Sequence, residues 1–143
     1  YYQLGELYSI NLGENKKAIE YYREIKKFTD SPLWLVKSEE RIGEISFTYL
    51  KDYKLSEKSY KLLVDFTPRL EKFDFYQFRL AQNFLRANEY ERAYQEFLKI
   101  QSSSNHKYYV ESYYQLGLLN FQKNQRFFCC FAQHYSLTVY IDF

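Results

Sequence analysis

Tyr1-Tyr2-Gln3-Leu4-Gly5 opens the chain, and Tyr113-Tyr114-Gln115-Leu116-Gly117 repeats it letter for letter. Between them stand Glu39-Glu40-Arg41-Ile42-Gly43 and Gln77-Phe78-Arg79-Leu80-Ala81, each with Leu or Ile before a small residue. The small residue therefore recurs after 38, 38 and 36 residues. A second small column follows it at Ala18, Ser56, Ala93 and then Cys129 or Cys130, at offsets of 13, 13, 12 and 12 or 13. Four residues further on stand Tyr22, Tyr60 and Phe97, and seven further on stand Ile25, Leu63 and Ile100. Two columns of small residues with matching ring and aliphatic columns define an internal repeat.

Within each unit the apolar residues keep helical spacing, as Ile42, Ile45, Tyr49 and Leu50 do. The unit is thus a helix hairpin. First helices (A) are predicted near 1–12, 33–51, 74–87 and 107–123, and second helices (B) near 15–28, 54–66, 89–101 and 126–137. Glycine in a helix costs roughly 1 kcal/mol relative to alanine. Gly5, Gly43 and Gly117 at equivalent mid-helix positions therefore point to close approach of helix A to helix B. The connections agree. Ser31-Pro32 reads as an N-cap followed by proline at the first helical position, Thr67-Pro68 repeats that pattern, and Ser102-Ser103-Ser104-Asn105 separates units three and four. Strand-like alternation is missing, so the fold class is all-α, an αα solenoid of about four hairpins.

Working outward, 143 residues with 46% hydrophobic content, two cysteines and two prolines exclude a disulfide scaffold, a collagen-like chain and a disordered one. Twenty Lys+Arg against eighteen Asp+Glu leave +2, interleaved without a basic run, and this argues against a nucleic-acid partner. Lys16-Lys17 and Lys26-Lys27 sit among Glu14, Glu20 and Glu24 as a solvated helix face. Apolar stretches such as Leu33 to Val36 are too short to span a membrane.

The columns resemble the tetratricopeptide repeat family. The resemblance rests on Leu4-Gly5 with Tyr8, Ala18 and Tyr22, and on Leu80-Ala81 with Phe84, Tyr90, Ala93 and Phe97; it covers residues 1–126. The longer period, and the extra residue between small positions in units one and two, look like the variety found in bacterial cell-envelope proteins. Those include outer-membrane assembly lipoproteins and periplasmic division coordinators, so periplasm is favoured over cytoplasm. The resemblance implies a superhelix whose concave helix-A surface binds a protein or peptide, with no cofactor and no catalysis. By repeat position the groove residues are Tyr2, Glu6 and Ser9; Glu40, Glu44 and Phe47; Phe78, Gln82 and Leu85; Tyr114, Leu118 and Phe121. Tyr2, Phe78 and Tyr114 would form an interrupted aromatic ladder, with the Glu40 carboxylate facing a Lys or Arg of the ligand. These aromatics either line the groove or pack between neighbouring hairpins. The alternative function is the helical superstructure of a larger enzyme or peptide-sensing regulator whose working domain lies outside this chain.

Other chemistry is weak. Adjacent Cys129-Cys130 lacks the spacing of a zinc or redox motif. Cys130 and His134 share a helix face but have no orienting third group, and so read as packing. His106 is expected exposed, and the pairs Glu39/Glu40 and Glu89/Glu91 read as solvated helix surface. Tyr1 falls inside the first repeat's helix A, so further repeats are expected beyond this chain. All twenty Lys+Arg precede residue 127, and Asp142 is the one acid of residues 127–143. That apolar tail either docks on a further repeat or partner, or is a degenerate or frame-shifted terminus.

Overall fold

The computed structural model describes residues 1–138, with side chains as far as Asn124. Helix α1 (Tyr2–Glu6) runs on as a π-helical turn over Leu7–Asn11, and α2 is Asn15–Phe28. Helix α3 (Pro32–Ile45) likewise continues as a π turn over Ser46–Leu50, followed by α4 (Tyr53–Val64). The third hairpin is α5 (Phe73–Arg86) and α6 (Tyr90–Gln101), and α7 spans Tyr109–Thr138. Among the described residues there is no strand. The architecture is the all-α superhelix expected from the repeat.

The π turns explain a feature of the sequence. A π turn accommodates one additional residue in a helix. In units one and two the second small position follows the first at an offset of 13 and helix A ends in a π turn; in unit three the offset is 12 and it does not. Each of the three turns then places one residue in the left-handed region: Gly13 at φ +68°, Lys51 at +53° and Asn88 at +62°. Glycine and asparagine accept that conformation readily; Lys51 adopts it because the flanking helices dictate the turn.

Packing follows the columns. Ala18, Tyr22 and Ile25 are buried, as are Ser56, Tyr60 and Leu63, and Ala93, Phe97 and Ile100. A Cβ built on Gly5 would stand 2.6 Å from the Tyr22 ring, and one on Gly43 would stand 3.2 Å from the Tyr60 ring. The glycines are there because a ring lies on them. The Ser56 hydroxyl donates to the Gly43 carbonyl at 3.3 Å, across the same close contact. The Asn83 side-chain amide donates to the Tyr53 carbonyl at 2.8 Å and ties α5 to the start of α4. The apolar interior forms two clusters, one around Tyr22 and Ile42 and a larger one from Tyr60 through Phe97 to Leu119.

Three expectations are corrected. Ser31 and Pro32 stand at the N-cap and first helical positions of α3, but the Ser31 side chain makes no capping bond; its carbonyl accepts from Trp34 and Leu35. Thr67-Pro68 does not repeat the pattern, because α5 begins only at Phe73. The fourth hairpin is not formed: α7 is continuous to Thr138 through the place where a turn near residues 124–125 was expected. The side chains of residues 125–138, and residues 139–143 altogether, lie outside the described residues. With them go the readings of Cys129, Cys130, His134 and the tail.

Candidate interaction surface

The A helices bring the expected groove positions to one side of the stack, but the chain itself occupies many of them. Tyr2 is half-buried, 5.5 Å between ring centroids from both Tyr22 and Trp34. Burial, reinforced by the Glu6 carboxylate, raises its phenol pKa. Phe78 is buried at 9% exposure, stacked on Tyr108 at 4.5 Å and edge-on to Phe97 at 6.0 Å. Only Tyr114 of the expected ladder is exposed, at 66%. The ladder does not form: the first two rings fill space between successive hairpins, and among the described residues nothing covers the third.

The carboxylates act as clamps. Glu6 Oε1 accepts from the Tyr22 hydroxyl at 2.6 Å and from Arg41 Nε at 2.6 Å, which joins units one and two. Arg41 Nη1 also donates to Glu44 at 2.7 Å. Glu40 Oε1 accepts from the Tyr76 hydroxyl at 2.7 Å and from Lys72 Nζ at 2.9 Å, which joins units two and three. Burial first, and then these carboxylates, hold the Tyr22 and Tyr76 phenols well above their ordinary pKa. Tyr60, buried without such a bond, is pushed up to about 12 by burial. Glu40 therefore does not present a free carboxylate to a ligand; Tyr76 and Lys72 of the same chain already occupy it.

The remaining candidates divide by unit. Ser9, Phe47, Gln82 and Leu85 are half-buried, with the Arg79 guanidinium 5.0 Å from the Phe47 ring centroid. Glu44 is exposed. In the fourth unit Tyr114, Leu118 (41%) and Phe121 (61%) are all exposed. They lie at i, i+4 and i+7, and Val110 (74%) extends the same stripe by one turn. Among the described residues, a Cβ built on Gly117 meets nothing within 4 Å.

Two further readings change. His106 is buried: its Nδ1 accepts from the Tyr108 amide at 3.1 Å and its Nε2 lies 3.6 Å from Asp74. Burial lowers its pKa below 6.5, opposed in part by Asp74. Glu39 is also buried, in an ion pair with Lys26, so the Glu39/Glu40 pair is not solvated surface. Sequence spacing marked neither residue, because Glu39 is held by Lys26 of the preceding helix and His106 lies in the connection between α6 and α7.

The first hairpin has the small residue, the ring laid on it, and the left-handed turn in place. Residues 1–28 match the family model of the tetratricopeptide repeat. This match supports the tetratricopeptide repeat family, whose members are generally non-catalytic scaffolds for binding proteins or peptides. No curated protein and no solved structure matches the chain. The second and third tetratricopeptide-like hairpins carry the same buried columns as the matched one. Among the described residues no helix is long and apolar enough to cross a membrane.

Proposed function

We propose that this protein is a protein- or peptide-binding scaffold that works through its helix-A surface, with the main grip at the α7 end. The observation that carries this reading is the exposed stripe Tyr114, Leu118 and Phe121, three groove positions of one unit left uncovered together. Large apolar side chains in a contiguous stripe supply most of the energy of an interface, whereas scattered ones do not. Glu44 and Gln82, at the equivalent position in the preceding A helices, offer the polar side of the same surface. Glu6, Glu40, Tyr2 and Phe78 serve as internal struts that fix the spacing of the helices. The 38-residue spacing and the π turns are what favours the long-hairpin, cell-envelope variety of the repeat.

The test is affinity capture with the wild-type chain and with Tyr114→Ala and Leu118→Asp, each shown by circular dichroism to retain its helix content. Partner recovery is expected to fall at least tenfold in both variants and to fall less in Glu44→Arg. Undiminished recovery with the fold intact contradicts the proposal.

A further inference from the structure

Arg41 and Arg79 stand at the same repeat position, two residues before the small column, in units two and three. Arg41 is saturated. Its Nε donates to Glu6 of the preceding unit at 2.6 Å, and its Nη1 donates to Glu44, three residues on, at 2.7 Å. Arg79 has the same reach and neither carboxylate. Three residues on from it stands Gln82, whose side-chain oxygen accepts from Nη1 at 3.4 Å, a long bond to a neutral acceptor. In the preceding unit the counterpart of Glu6 is Glu44, and that carboxylate is bonded to Arg41. Among the described residues Arg79 therefore has no ion pair, and its Nε edge has no acceptor.

The guanidinium is nonetheless fixed. It is half-buried, 5.0 Å from the Phe47 ring centroid and 5.3 Å from that of Phe75. Rings on which a guanidinium lies hold its plane and exclude water from it, while its N–H edge stays able to donate. A carboxylate meeting that edge needs little further ordering, and a partly buried pair is screened less by salt than an exposed one. The edge also belongs to the surface already described, because Gln82 beside it is the counterpart of Leu118. We propose that Arg79 takes a Glu or Asp side chain of the bound partner, as Arg41 takes Glu6 of its own chain. The partner is thus a segment that sets apolar side chains on Tyr114, Leu118 and Phe121 and an acidic residue on Arg79. A side-chain carboxylate is the source, since both acceptors of Arg41 are glutamates. The proposal rests on the reading of the stripe as a binding surface and adds the charge of what binds there.

Exchange of charge gives the test. The probe is a set of acetylated, amidated peptides that share a Phe and a Leu and carry Glu, Gln or Lys at each other position in turn, so that Glu is the sole carboxylate. The tightest Glu peptide is expected to bind the wild-type chain about fivefold more tightly than its Gln counterpart, the size of a partly buried charge pair. That difference should shrink as salt is raised. It is expected to vanish in Arg79→Gln and to pass to the Lys peptide in Arg79→Glu, with helix content retained in both. Absence of any binding, or of a preference for Glu in the wild-type chain, overturns the proposal. So does a Glu preference that survives Arg79→Gln. If binding is lost in Leu118→Asp but shows no Glu preference, the scaffold reading stands and only the Arg79 contact falls. Binding indifferent to both Leu118→Asp and Arg79→Gln sinks the two together.

Discussion

Gly5 and Gly117 occupy the same position in the first and fourth units, yet one lies under a tyrosine ring and the other, among the described residues, under nothing. The difference separates what the repeat needs in order to fold from what it leaves over. In the first three units the small residue, the ring and the aliphatic residue close a hairpin, and hydroxyls and carboxylates between hairpins fix their spacing. In the fourth unit the same residues on helix A are present, but the complementary helix does not fold back. A residue type that is buried structure in one unit is thus exposed surface in another, solely because of what covers it.

The sharpest way to break this comparison is to remove a ring from each region. Phe97→Ala, in the buried column, is expected to cost about 3–5 kcal/mol in urea unfolding, the usual range for emptying a core site of that size. Phe121→Ala is expected to stay within about 0.5 kcal/mol, the range of exposed substitutions, while weakening association. Comparable losses at both positions would mean that the two regions are not different in kind.

A smaller effect is expected at the clamps. Glu40→Ala leaves the Tyr76 hydroxyl without its acceptor and should cost about 1–3 kcal/mol, measured by the same unfolding midpoint. Glu44→Ala loses one exposed pairing and should change stability by less than about 1 kcal/mol. Equal costs would remove the distinction between strut and surface.

The smallest effect concerns His106. Its pKa is lowered in the folded chain, so it is held neutral there while the unfolded chain protonates near 6.5. Its contribution to stability is complete above that value and is lost as pH falls through the lowered one. His106→Gln should therefore flatten the fall in melting temperature between neutral and mildly acidic pH. An unchanged slope would show that the acid-side loss arises elsewhere.

The fold was legible because the repeat is written in volumes. Small residues against rings at fixed offsets identify which helices touch, and even the one-residue difference between units reappears as π turns. The candidate surface was legible only by position. Whether Phe78 faces a ligand or its own chain depends on Tyr108, thirty residues away and outside the repeat columns. Glu40 is likewise decided by Tyr76 and Lys72 of the next unit. The burial of His106 follows from the path of a loop, which no period encodes. The missing fourth turn was not legible either, since the spacing of Cys130, His134 and Leu137 is compatible with a helix that folds back and with one that does not.

The most direct measurement is the unfolding midpoint of Gly5→Ala against Gly117→Ala. Gly5→Ala drives a Cβ into the Tyr22 ring and is expected to destabilise by about 1–3 kcal/mol. Gly117→Ala has open space around it and is expected to stabilise by up to about 1 kcal/mol through helix propensity alone. Opposite signs are the predicted result; two losses of similar size would contradict the account.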